Sequence, residues 1–189
     1  KFEGAQVLDL EGLAVHRGSL LGKIENRIQP SQRLFESNLY ADIRKFNFKK
    51  PIYVESESSR IGNVQIPKGV WQEIVGAPMI SIAMPLSARA SYLLTEYKHL
   101  TTDLSHLNRL VSAMKERHGY ARVNAWSDLI KAKDWKSLAE DLLNTHYDPA
   151  YDKSIFRHDR PLLATIEQQD CIRTNLQATA NQILHLTSN

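Results

Sequence analysis

Asp9-Leu10-Glu11-Gly12-Leu13-Ala14-Val15-His16-Arg17-Gly18-Ser19 is the stretch whose reading decides the fold. An apolar run, Ala5 to Leu10 with one polar interruption, stops there at acids, glycines, a histidine, an arginine and a serine. Apolar strands that end in polar, glycine-containing loops build the sites of open α/β sheets, because the carboxyl ends of the strands leave a crevice. Pro51-Ile52-Tyr53-Val54 repeats the pattern and breaks into Glu55-Ser56-Glu57-Ser58-Ser59-Arg60-Ile61-Gly62. Two such strand ends, each with carboxylates and an arginine, predict one shared site for an anionic, phosphorylated ligand.

Outward from that stretch the chain alternates. Ala5 to Leu10 reads as a buried strand followed by a long loop to Pro30. Ser31 then opens a helix that carries Phe35, Leu39 and Ile43 on one face. Pro51 to Val54 is the next strand. Pro67 suits the first turn of a short helix holding Trp71, Ile74 and Val75, and Met79 to Met84 is a third apolar strand. Apolar rather than alternating strands, separated by helices, predict a parallel sheet covered on both faces.

From Leu86 the pattern is mainly helical. Leu86, Ala90, Leu93, Leu94 and Tyr97 form one stripe; Leu104, Leu107, Val111 and Met114 form another, closed by Gly119. Asp134 is placed to cap a helix with Trp135, Leu138 and Leu142 inward. Leu162 to Ile166 reads as a last strand. A final helix from about Asp170 to Leu186 is expected to bury Ile172, Leu176, Ala180 and Ile183. The expected fold is α/β: a P-loop NTPase-like parallel sheet with helices on both faces and a helical subregion at about 98–160, in one domain spanning 1–189.

The 189 residues suffice for one domain, which at this size buries roughly 70% of its unfolded surface without covalent staples. Composition is ordinary for a globular protein, with 42% hydrophobic and 24% charged residues. No apolar run approaches the ~20 residues that cross a bilayer, and the N-terminus does not resemble a signal peptide. A single cysteine, Cys171, excludes an intrachain disulfide and a cysteine-rich metal site, and fits a cytoplasmic location. The net charge of +3 neither demands nor forbids nucleic acid. Arg17, Lys23, Arg27 and Arg33 flank the loop after the first strand, either as a basic site or as a solvated face.

If the strand ends converge, Asp9, Glu11, Glu55 and Glu57 can organise a hydrated Mg²⁺ or serve as acid/base groups. Arg17, Arg60 and Arg89 can neutralise phosphate oxygens, since guanidinium offers a planar fork of donors. The plainer alternatives are a structural Glu55–Arg60 ion pair, a hydrogen-bonded loop role for His16 and a solvated Arg89. His118, His146 and His158 show no metal-site spacing, and Cys171 reads as packing. No Gly-x-x-x-x-Gly-Lys-Ser/Thr phosphate loop occurs anywhere in the chain. A P-loop sheet begins with strand, phosphate loop and helix, so this chain is expected to start just after that unit.

These residues resemble a known family. Asp9 to Ala14 with His16 to Ser19, then Gln29-Pro30-Ser31-Gln32 and Phe35-Glu36, are similar to bacterial tRNA 2-selenouridine synthase. The similarity continues through Val54 to Gly62, Ala77-Pro78, Pro85 to Arg89, and His146-Tyr147-Asp148-Pro149-Ala150-Tyr151. Val15 stands where the family is expected to carry Asn.

The resemblance implies a tRNA-modifying transferase acting on wobble 2-thiouridine. Sulfur is geranylated from geranyl diphosphate and then replaced by selenium from selenophosphate. It also implies the tRNA anticodon region and an N-terminal rhodanese domain as partners. The rhodanese cysteine lies outside this chain, and Cys171 matches no family motif, so the chain is expected to be inactive alone. Arg17, Ser19, Ser59, Arg60 and Arg89 are the expected phosphate or diphosphate contacts. His16, Gln29, Ser31 and Gln32 are the expected tRNA or substrate contacts. The alternatives are a non-catalytic tRNA-binding module and a P-loop small-molecule kinase.

Overall fold

Asp9 decides how the first strand ends. Its carboxylate accepts the Gly12 N–H at 2.7 Å, an N-cap that satisfies one of the orphan donors of a first helical turn. A computed structural model, describing residues 4–19, 21–56, 58–156 and 160–187, therefore shows β1 (Gln6–Leu8) passing directly into the short helix α1 (Leu10–Ala14). The expected strand to Leu10 and the long loop after it are corrected accordingly: Leu10 is buried as the first residue of a helix. Gly12 leaves room for that cap, since a Cβ there would lie 2.6 Å from the Asp9 carboxylate and push it aside.

The chain divides into two compact units. Unit 1 takes the described residues up to Ile80, together with 160–164 and 177–187. In it β1 pairs in parallel with β2 (Ile52–Val54), with Gln6 opposite Ile52 and Leu8 opposite Val54. The Gln6 carboxamide accepts the Asn47 N–H at 2.6 Å and donates to the Asn47 carbonyl, fixing the turn that leads into β2. The helix α2 (Gln32–Ile43) is capped by Ser31, which accepts the Leu34 N–H. Its spacing buries Phe35 and Leu39, as the pattern predicts.

A hairpin that periodicity did not disclose follows: β3 (Arg60–Ile61) pairs antiparallel with β4 (Val64–Gln65) around Gly62 and Asn63. The helix α3 (Lys68–Gly76) starts after Pro67, where a missing N–H costs nothing. Leu8, Leu10, Phe35, Leu39, Ile61, Val64 and Ile74 form the core of this unit.

The strands β5 (Met79–Ala83) and β6 (Leu162–Glu167) pair with each other, and in both the chain passes from one unit to the other. The Met79 N–H bonds the Pro161 carbonyl and the Gln168 N–H bonds the Ala83 carbonyl, a parallel arrangement. The parallel α/β character is thus present, carried by two strand pairs.

Unit 2 is helical. It contains α4 (Leu86–Glu96), a 3₁₀ turn (Lys98–Thr101), α5 (Leu104–Ser112), α6 (Lys115–Ala132) and α7 (Trp135–Leu142), then a π-helical turn (Leu143–Tyr147) and α8 (Asp148–Phe156). Asp103 and Asp134 cap α5 and α7 through the His106 and Ser137 N–H groups. Gly119, at φ +76 and ψ 167, breaks the helical run inside α6 at the predicted stop. Val111, Trp126 and Ile130 are fully buried in this unit.

The last helix, α9 (Arg173–Thr187), corrects the expected face. Ile172 and Leu176 are 61% and 42% exposed, whereas Thr179 is buried and Ala180 and Ile183 are half-buried. Among the described residues no helix is long and apolar enough to cross a membrane.

Candidate functional site

The two strand ends do meet. Glu55, just past β2, accepts the Glu11 N–H on its Oε1 at 2.7 Å, so a carboxylate from one strand end caps the helix that follows the other. Burial is the main influence on Glu55 and pushes its carboxyl up; the Glu11 N–H pulls it back down. Asp9 and Glu55 thus each spend an oxygen on backbone donors of α1. No group of three or more His, Cys, Asp or Glu side chains suited to holding a metal ion occurs among the described residues. Glu57 lies outside the described residues, as does His158.

Beyond these acids the chain opens a cleft of about 810 Å³ in unit 1. One wall comes from the segment after α1: His16, Gly18, Ser19, Lys23, Arg27, Ile28 and Gln29. The other comes from β3 and its turn: Ser58, Arg60, Gly62 and Asn63. An antiparallel bridge between His16 and Lys23, and a 2.8 Å bond from the Arg17 N–H to the Gly22 carbonyl, fold the first wall. Arg60 Nε donates to the Gly62 carbonyl at 3.0 Å, which fixes how its guanidinium leaves the hairpin.

Lys23, Arg27 and Arg60 make the cleft a basic receptor, with Ser19, Ser58 and Asn63 as neutral partners. Such a set suits phosphate oxygens, which take a planar guanidinium fork or an ammonium point charge. His16 is only 9% exposed, its Nδ1 has no partner within the protein, and burial lowers its pKa, so it presents a neutral imidazole at pH 7. Ile28 is 92% exposed on the same wall, an apolar side chain beside the cations.

The expected site residues fall into three groups. His16, Ser19, Gln29 and Arg60 line the cleft, and Arg17 stands between two lining residues. Ser31 and Gln32 are engaged structurally, Ser31 as the α2 cap. Gln32 bonds both the N–H and the carbonyl of Gln65. Ser59 uses its carbonyl on the Ile66 N–H.

Arg89 lies in unit 2 in a bidentate pair with Asp148, at 2.6 and 2.8 Å. Cys171 Sγ is 3.9 Å from Met84 Sδ, and burial pushes its thiol up, as packing implies. Sequence reasoning missed Arg160, whose Nη1 donates to Ser56 just beyond β2 from 104 positions away. Its only sequence signal was a charge before an apolar run.

Parallel strand pairs with helices, together with an AAA-domain family match, define a P-loop NTPase-like α/β protein. The family is equally specific. A family model described as the tRNA 2-selenouridine synthase AAA domain matches residues 3–182, and the chain belongs to that family. It is similar to tRNA 2-selenouridine synthases of Shewanella sediminis (30% identical, covering 78% of this chain and 47% of the relative) and Shewanella frigidimarina (31%, covering 81% and 51%). A tRNA 2-selenouridine synthase of Salmonella schwarzengrund is 30% identical over 76% of this chain and 48% of its own. The chain thus spans about half the length of these curated relatives. No solved structure matches it.

Proposed function

We propose that this chain is the phosphate- and tRNA-handling part of a transferase that converts wobble 2-thiouridine in tRNA to 2-selenouridine. Geranyl diphosphate and selenophosphate are its substrates, with an S-geranyl intermediate. One observation supports this most directly: the cleft built from the two strand ends and lined by Lys23, Arg27 and Arg60. In the first step the uridine sulfur attacks the allylic carbon of geranyl diphosphate, and the carbon–oxygen bond breaks. The diphosphate leaves with the electron pair. Fixed cations lower that barrier because the charge they meet grows as the bond breaks. In the second step the selenium of selenophosphate attacks C2 of the S-geranyl uridine, geranylthiol leaves with a proton, and water cleaves the Se–P bond to release phosphate, whose charge the same cations hold.

In this reading Arg60, Lys23 and Arg27 take phosphate oxygens, with Arg17, Ser19 and Ser59 beside them. His16 supplies a neutral hydrogen-bonding group. The tRNA anticodon region and a rhodanese domain of the longer protein are the partners, and the cytoplasm is where such a substrate is met. Replacing Arg60 or Arg17 by Ala in the full-length protein is expected to lower geranylation or selenation at least tenfold, read as modified nucleoside per tRNA. Unaltered rates in both variants would refute the assignment.

A further inference from the structure

We propose that Gln29 is a positioning residue that sets the separation of the two cleft walls, and with it the preference of the cleft for a diphosphate over a single phosphate. The inference rests on the phosphate-binding reading above. Gln29 closes the first wall, yet its carboxamide is directed at backbone. Nε2 donates to the Ala14 carbonyl at 3.0 Å and to the Ile61 carbonyl at 3.2 Å, while Oε1 accepts the Asn63 N–H at 2.9 Å. Both amide hydrogens are therefore spent, and Gln29 has none left for a ligand. It acts instead as a strut between the end of α1, strand β3 and the β3–β4 turn.

Gly62 is fitted to that strut. A Cβ there would lie 2.3 Å from Gln29 Oε1, and the backbone sits at φ +57. The Gly62 carbonyl in turn accepts from Arg60 Nε. The turn gripped by Gln29 is thus the one that positions Arg60, which lines the cleft together with Lys23 and Arg27. A diphosphate presents two charged groups and engages cations on both walls together, whereas a single phosphate is satisfied by one wall. Loosening the strut therefore weakens the first ligand more than the second.

Calorimetric titration of the full-length protein with inorganic pyrophosphate and, separately, inorganic phosphate at fixed ionic strength tests this. Gln29→Ala is expected to weaken the Arg60-dependent pyrophosphate affinity about tenfold and phosphate affinity by less than about threefold. Gln29→Asn keeps the amide but shortens its reach, so it gives the same split if the alanine variant folds poorly. Equal losses for the two anions, as a mere fall in folded fraction would produce, overturn the inference, and so does an unchanged pyrophosphate affinity. If Arg60→Ala leaves pyrophosphate binding intact, the phosphate-site reading itself fails and takes this inference with it.

Discussion

Arg89 and Asp148, 59 positions apart in the chain, meet guanidinium to carboxylate in a bidentate pair at 2.6 and 2.8 Å. The pair joins α4 to the start of α8, immediately after the π-helical turn. Both side chains remain about one-third exposed, at 33% and 31%, which moderates its strength. Arg89→Ala is expected to destabilise unit 2 by about 1–2 kcal/mol, read from urea unfolding. Arg89→Lys recovers little of that, because an ammonium cannot reproduce the fork.

Val15 ends α1 in the left-handed region, at φ +53 and ψ +44. A β-branched side chain is poorly tolerated there, whereas Asn adopts it readily. Val15→Asn is therefore expected to stabilise the protein by about 1 kcal/mol, seen as a higher urea midpoint with unchanged slope. The resemblance anticipated Asn at this position, and the backbone supplies the reason.

Gly119 holds a φ of +76 and a ψ of 167, a combination essentially reserved for glycine. No neighbouring atom lies within 4 Å of a Cβ built there, so the cost of Gly119→Ala is backbone strain alone. A loss of about 1–3 kcal/mol in unfolding free energy is expected, with no change in the anion affinity of the unit 1 cleft.

His118 Nε2 and His146 Nδ1 lie 2.9 Å apart, one donating and the other accepting while both rings are neutral. Burial lowers both pKa values below the ordinary 6.5. Arg117 and Arg122 reinforce this for His118 against Asp141, while Arg117 and His118 do so for His146. As pH falls below 6.5 the unfolded chain takes up protons that the folded pair resists, so stability is full above that pH and declines below it. Urea midpoints between pH 8 and pH 5 check this. His146→Phe should flatten the slope through that interval.

Much of this was legible from local signals. Ser31, Phe35 and Leu39 announce α2 because a cap and a period are both properties of a short stretch. Asp9 was ambiguous: an acid at a strand end serves equally as ligand or helix cap, and its cap bond to Gly12 appears only in the fold. The β3–β4 hairpin has strands of two residues, too short to show alternation, although Gly62-Asn63 carried the turn chemistry.

The buried face of α9 followed its tertiary neighbours rather than its apolar spacing, hence Thr179 inside and Ile172 outside. At the site, the meeting of the strand ends could be read because both carry the same pattern. That Gln29 and Glu55 spend their polar atoms on distant backbone could not, since those partners lie 15 to 44 positions away.

Trp126 is fully buried, with its indole N–H on Asp141 and the His118 ring in a T-shaped contact, the two centroids 5.1 Å apart. A protonated imidazole quenches indole emission while a neutral one leaves it bright. The molecule therefore carries its own optical gauge of the histidine pair. A variant keeping Trp126 while Trp71 and Trp135 become Phe would report, by its brightness alone, when that contact takes up a proton.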